Sequence, residues 1–461
     1  MKSISRNQWP KWIKDRFGST KNIEIKEHNG NFYGYTYTNV WDKSKKMPRK
    51  TVKYIGSIKE SFADKGIVRE YGNIKFLHNI AEEEILTLIT KIFPDDWKHL
   101  IVFAFNRVLY PMPIKRIPSW FEKTDLENII GLHEISAQSL RNHLAAVGNN
   151  LGAQKEFMSS MINENELLMY DGSVIHSASK YNKLLETGYN KDKLLLPQVK
   201  ITLLFSKTRK LPIYMKMFFG SIHDIGTVNE IVKELKDKKI VFVADKGFYK
   251  NKFYDSLADN KINFIMPLPR DDKRIKYFKH LDGLMSYHGR TIRYTKYVIG
   301  RFYLYIYEDQ YLKYEETNEF YQFKLRKQNV EFHEDWAGKI SLLSTLNLDP
   351  EEIYLMWKSR DEIEKSFHIL QNILDTDAPY VSREDVFRGY IFASFLSLYL
   401  YYKVMNLIRK KELLSKLSVG DLLFELSKIM KYGDNRVVEI TKKTAKVLNL
   451  LDLNYIITKS A

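Results

Sequence analysis

The spacing of apolar positions changes along the chain, and each change marks a different kind of segment. Asn31 to Thr38 (NFYGYTYT) and Arg49 to Ile58 (RKTVKYIGSI) alternate, which predicts two half-exposed strands. A cationic turn holding Lys43, Lys45 and Lys46 joins them as a hairpin. Residues 76 to 150 turn to helical spacing. Within them Ser136 caps a helix that Gly148 closes, and with the preceding Leu126 to Leu132 segment it makes a helix-turn-helix pattern. From Asn163 short continuous apolar runs take over: Leu167 to Tyr170, Gln198 to Phe205, Leu211 to Phe218 and Ile240 to Ala244, with a helix over Thr227 to Lys236. Such runs belong to strands buried on both faces, so they predict a mixed central sheet covered by helices. Arg270 to Phe332, rich in Tyr, Arg and Lys, reads as antiparallel strands inserted into that core, and Lys339 to Thr345 (KISLLST) as the return to it.

The next stretch predicts one helix from Asp349 to Leu374. Asp349 is placed to accept orphan amide hydrogens, Pro350 suits the first helical position, and Glu351 and Glu352 favour the positive end of the dipole. Ile353, Met356, Ile363, Phe367, Leu370 and Ile373 form its apolar stripe, and Arg360 falls on that stripe. Trp357, Arg360, Glu364 and Gln371, three, four and seven apart, line one edge. A charge on a buried face needs a partner, either the Glu364 carboxylate one turn on or a bound anion.

With 461 residues, 44% hydrophobic and 14% aromatic, the chain can build two or three domains with real cores. The absence of cysteine excludes disulfide frameworks, thiolate metal sites and Cys nucleophiles, and fits a cytoplasmic location. A net charge of +17 calls for an anionic partner. Residues 1 to 60 carry 14 Lys/Arg against 5 Asp/Glu, so the N-terminal region is an electrostatic arm. MKSISRNQWPKWIKD holds no apolar signal core. Gly389 to Tyr402 is the most membrane-like run, but Lys403 ends it short of the ~20 residues a spanning helix needs. It reads as a core helix, with no membrane partner.

Candidate chemistry comes from three acids. Two apolar runs lead into an aspartate with glycine close behind, Asp171-Gly172 and Asp245-Lys246-Gly247, and the later helix sets Glu364 on its edge. Strand ends place carboxylates at the rim of a sheet, and a flanking helix can bring a third to the same spot. Three such groups need cations beside them, and hard oxygen donors suit Mg²⁺ or Mn²⁺. Two such ions suit in-line attack at a phosphodiester, and the positive surface would attract the polyanion.

The trio Asp171, Asp245 and Glu364 resembles the DDE triad of RNase H-like transposases encoded by prokaryotic insertion sequences. One branch carries Tyr-x2-Arg-x3-Glu-x6-Lys on the helix bearing the glutamate. Here that register holds Trp357, Arg360, Glu364 and Gln371, so the Arg and Glu match while Trp replaces Tyr and Gln replaces Lys. The resemblance implies that the three acids are catalytic and bind two metal ions, and that Arg360 contacts DNA phosphate. Gln371 cannot make the phosphate ion pair of the family's lysine, and Lys365 or Lys358 stands near enough in sequence to supply it instead. Trp336 either stacks on a flipped base or anchors a loop.

The implied fold is an RNase H-like mixed-sheet α/β core interrupted by a β-rich insertion, with helical and basic DNA-binding regions at the N-terminus. The segments expected are a basic hairpin region (1–75), a helical region (76–162), the core in two parts (163–269 and 333–410) around the insertion (270–332), and a basic helical tail (411–461). The implied activity is metal-dependent cleavage at transposon ends and transfer of the freed 3′-hydroxyl into target DNA. A homodimer would bring the two terminal inverted repeats together in a synaptic complex. A transposase-derived DNA-binding protein without catalysis, and an RNase H-like nuclease without strand transfer, are the alternatives.

Overall fold

The computed structural model describes residues 2–42, 47–58, 68–164, 166–176, 184–186, 197–222, 224–235, 238–243, 253–275, 280–326, 332–376, 381–432, 436–437 and 440–457. The chain divides into two compact units. One comprises Met1–Phe76, Pro118–Ile135 and Asp421–Ala461; the other comprises Leu77–Ile117 and Ser136–Gly420.

The first unit opens with an antiparallel sheet in the order β1 (Lys2–Ile4), β2 (Ile23–His28), β3 (Asn31–Asp42) and β4 (Met47–Ile58). Trp9, Ile13, Ile23, Ile25 and Ile58 close a small core at its base. The alternation of β3 and β4 does form a hairpin, and it is longer than the pattern indicates. Each strand has 12 residues, and the ladder runs on to Asp42 opposite Met47. Lys43, Lys45 and Lys46 lie outside the described residues. β5 (Val68–Glu70) belongs to this unit as well.

The second unit is built on a nine-stranded mixed sheet. Its strands are β6 (Leu168–His176), β7 (Gln198–Ser206), β8 (Leu211–Phe219), β9 (Ile240–Val243), β10 (Asn263–Pro267), β11 (Gly283–Tyr287), β12 (Arg290–Ile299), β13 (Phe302–Asp309) and β14 (Lys339–Ser344). Their order across the sheet is β11-β12-β13-β14-β10-β9-β6-β7-β8. β6, β7 and β8 pair antiparallel, while β9 pairs parallel to both β6 and β10. β6 to β10 are nearly continuous in buried side chains, as strands covered on both faces must be. This arrangement is consistent with the RNase H-like fold expected. The strands of 270–332 extend the same sheet through β13 and β14, and Gln310–Leu325, inside that stretch, is a helix rather than a strand. Asp309 caps that helix, accepting from the Tyr311 and Leu312 amides, a helix-start signal that the tyrosine-rich context obscures.

One face of the sheet is covered by the Glu384–Lys410 helix, which packs on β8 and on the helices Trp97–Leu109 and Ala137–Asn149. It is long and apolar enough to cross a membrane, yet 72% of its most apolar window is buried, which makes it the core helix expected. Ser136 caps the Ala137–Asn149 helix by accepting from Ser139 N at 2.9 Å, as its position predicts. Gly148 does not close the helix. It lies within it, where a Cβ would meet the Asp385 carbonyl oxygen at 1.8 Å, and a Cβ on Gly389 would meet that of Leu144 at 1.8 Å. The two glycines let two helix backbones touch. The partner helix of the helix-turn-helix pattern, Leu126–Ile130, belongs to the other unit.

The C-terminal residues of the first unit form β15 (Met430–Tyr432) and β16 (Arg436–Val437), which complete a three-stranded sheet with β5, followed by the helix Lys442–Leu450. The tail is therefore mixed rather than helical throughout.

Candidate active site

The sheet supplies the first acid. The parallel ladder between β6 and β9 runs from Leu168–Ile240 to Tyr170–Phe242 and stops there, so Asp171 is the first residue of β6 beyond it. β6 itself does not end at Asp171, as an Asp-Gly pair suggests. It continues to His176 against β7, with Asp171 opposite Leu203 and Gly172 opposite Thr202. Asp171 is buried, and its Oδ1 accepts from the Gly172 amide at 2.8 Å. β9 ends at Val243, two positions before Asp245, which lies outside the described residues.

The second acid comes from the stretch that begins at Asp349. Its start is as predicted, with Asp349 Oδ1 accepting from Glu351 N at 2.8 Å and Pro350 in the first turn. It is not one uniform helix. Pro350–Lys358 and Arg360–His368 meet at Ser359, whose hydroxyl donates back to the Leu355 carbonyl at 2.6 Å. That back-bond bends helices. A π-helical turn then covers Ile369–Ile373. The expected apolar stripe is buried at Ile353, Met356, Ile363, Phe367 and Leu370, whereas Ile373 is exposed.

Arg360 joins the two acids. Its Nη2 lies 2.7 Å from Glu364 Oε1, one turn along the helix, and its Nε lies 3.5 Å from Asp171 Oδ2. One guanidinium thus spans a buried strand carboxylate and a helix carboxylate that is 54% exposed. Two carboxylates converging on one spot create a need for positive charge that the protein itself meets through Arg360. Their oxygens are the hard donors that suit a divalent cation.

Gln371 sets the register between helix and strand. Its Nε2 donates to the Val174 carbonyl of β6 at 2.6 Å, three residues beyond Asp171. No sequence pattern announces this bond, since an amide on a helix edge carries no signal of the carbonyl it will meet. The π turn that holds Gln371 adds a residue to the helical circuit, a feature frequent at functional sites.

The remaining candidates are spread around this centre. Trp357 is half-buried, with Lys358 Nζ 4.8 Å from its ring centroid and the Tyr354 ring 5.9 Å away. Lys365 is exposed, 3.8 Å from Glu362. Trp336 is half-buried beside His333, ring centroids 3.9 Å apart, and lines a cavity of about 410 Å³ with Phe320, Phe323 and Phe332. Phe320 and Phe332 are themselves stacked at 4.5 Å, a wall of the cavity with no signature in the sequence.

A family model described as a transposase DDE domain matches residues 164–400, just over half of the chain. The chain belongs to the DDE transposases. It is therefore an enzyme acting on DNA, and dependence on a divalent metal goes with the family. No curated protein matches the chain. Among solved structures, it is similar to a piggyBac transposase synaptic complex with hairpin DNA at 11% identity and a TM-score of 0.40, with 85% of this chain and 86% of that one covered. The match spans β6 to β14 and most of the long core helix, so every strand and helix that builds the acidic centre lies inside the DDE domain.

Proposed function

We propose that this transposase cuts DNA at the ends of a prokaryotic insertion sequence and joins the freed 3′-hydroxyl to target DNA. The observation that carries the reading is the Arg360 bridge between Asp171 and Glu364, because it brings together two acids 193 positions apart in the chain around a cation-demanding spot. We assign Asp171, Asp245 and Glu364 as the carboxylates that hold Mg²⁺ or Mn²⁺, two ions in all. When bound, the ions supply Lewis-acid activation of the attacking oxygen and stabilisation of the leaving one. The protein's own part is positional. β6 fixes Asp171, Gln371 locks the helix against β6, and Glu364 on that helix is exposed enough to meet a substrate.

Arg360 can exchange a carboxylate for a phosphodiester oxygen without changing the sign of its partner, which suits a phosphate contact beside the cleaved bond. Lys365 lies on the exposed side of the same turn, and Trp357 with Lys358 offers a ring and a cation one turn before it. The Trp336 cavity has the aromatic walls to stack on an unpaired base. Lys43, Lys45 and Lys46 supply further phosphate contacts, and a homodimer synapsing two terminal inverted repeats is the expected assembly. A cysteine-free, basic chain suits the cytoplasm beside the chromosome.

Asp245→Asn keeps the side-chain shape and removes one charge. The expected result is retained folding and DNA affinity, with loss of both end cleavage and strand transfer on a duplex carrying the terminal repeat. Normal cleavage by that variant would remove Asp245 from the site.

A further inference from the structure

The N-terminal sheet has two unlike faces. Directly opposed residues of neighbouring strands share a face, and successive residues of one strand alternate between faces. Ile23 and Ile25 of β2, Phe32 of β3 and Ile58 of β4 point to the side where Trp9 and Ile13 complete the small core. The other side carries Glu24 and Lys26 of β2, Tyr33, Tyr35 and Tyr37 of β3, and Tyr54 of β4. Register sets them in rows, Lys26 opposite Tyr33, and Glu24, Tyr35 and Tyr54 side by side. The Tyr35 and Tyr54 ring centroids are 5.2 Å apart.

Tyrosine suits the outer face of any sheet, so the rings alone decide nothing. What stands beside them does. Lys26 Nζ lies 4.5 Å from the Tyr35 centroid, and Lys50 Nζ lies 4.4 Å from that of Tyr37 while also pairing with Glu24. Tyr54 is 53% exposed, and Tyr33, Tyr35 and Tyr37 are half-buried, so their open surface reaches solvent together with the ammonium groups. Residues 1 to 60 carry 14 Lys/Arg against 5 Asp/Glu, which favours an anionic occupant over an acid-neutral protein surface. An anion that also offers flat aromatic faces is a nucleic acid with its bases unstacked.

We propose that the outer face of this sheet is a stacking platform for unpaired DNA, with bases on Tyr33, Tyr35, Tyr37 and Tyr54 and a phosphate on Lys26. Alternate residues of β3 stand about 6.6 Å apart, about twice the 3.4 Å rise of stacked bases, so its tyrosines match an opened strand and not a duplex. At its base the sheet is four strands wide, about 14 Å, which exceeds the major groove of about 12 Å. Paired bases keep their faces against one another, so only a base freed from its neighbours can lie on a ring. Lys26 then leaves the Tyr35 ring for the phosphate, and a base takes its place. The inference rests on the DNA-processing reading for the identity of the strand as DNA, and it gives the N-terminal sheet a task separate from the acidic centre.

The test uses the full chain with a labelled oligothymidine, the matching RNA oligomer, and a duplex of the same length, read by fluorescence anisotropy. The double variant Tyr35→Leu, Tyr54→Leu keeps the face apolar and removes two rings. It should weaken single-strand binding by about 25-fold or more, the low end for two base stacks, and leave duplex affinity as in wild type. The corresponding Phe pair should bind as wild type does. Lys26→Ala should lower the single-strand salt slope by about 0.7, one phosphate's worth. In the wild-type protein, irradiated 5-iodouracil oligomers should attach at Tyr33, Tyr35, Tyr37 or Tyr54. Attachment confined to other residues, undiminished single-strand binding by the Leu pair, equal loss on duplex, or tighter binding of the RNA would each overturn the proposal. Single-strand binding through these rings by a protein that never cuts DNA would end the transposition reading and leave the platform standing. Normal cutting alongside undiminished binding by the Leu pair would do the reverse.

Discussion

At the scale of single residues, what is legible in the sequence is whatever acts within one or two helical turns. Asp349 caps its helix because a short acceptor before Pro-Glu-Glu has few other uses, and Arg360 meets Glu364 because residues four apart share a face. The contact between Arg360 and Asp171 follows from tertiary packing, and spacing alone does not contain it. Gln371 shows the limit most clearly. The sequence marks it as a departure from a lysine, whereas the fold uses its amide as the tether between helix and β6. Gln371→Ala should cost about 1 kcal/mol in urea unfolding, the worth of one hydrogen bond, yet lower cleavage by far more because Glu364 loses its register against Asp171. Cleavage reduced no further than stability explains would show that the tether is structural only.

At the scale of elements, periodicity locates the buried strands and the long core helix, and it misjudges where they end. The Asp171-Gly172 pair favours a turn and so predicts a strand end, but pairing with β7 carries β6 five residues further. Gly148 looks like a helix terminus for the same reason, although its role is to admit Gly389 of the crossing helix. Ala at either glycine should cost roughly 3 kcal/mol or more, since a Cβ would land 1.8 Å from a backbone oxygen that cannot swing aside. Wild-type stability for Gly389→Ala would show that the helices are not in contact there.

The neighbouring helices carry a second testable feature. His99 and His143 stack at 3.6 Å, and His143 is paired with Asp96 at 2.7 Å. Burial first, then the neighbouring His143 and Lys98, hold His99 down at about 4. Folded His99 stays neutral where the unfolded residue, ordinarily near pH 6.5, takes up a proton, so stability falls as pH drops from about 6.5 to about 4. The unfolding midpoint of wild type should fall relative to that of His99→Phe on acidification through that window, and parallel profiles would contradict it.

At the scale of the whole molecule, charge and acids together separate an enzyme that works on DNA from a DNA-binding protein that merely occupies it. The net charge of +17 is legible as attraction to a polyanion, and Asp171, Asp245 and Glu364 as the acids proposed to hold a metal. Which face receives DNA is not, because surface cations owe no periodicity to the core. The most direct test of the account is cleavage of a labelled duplex bearing the element's terminal repeat, in Mg²⁺ or Mn²⁺ against EDTA, by wild type and by Glu364→Gln. The account predicts metal-dependent cuts at the repeat boundary that vanish in Glu364→Gln while binding persists. Binding without cuts by the wild-type protein, or undiminished cuts by Glu364→Gln, would contradict it.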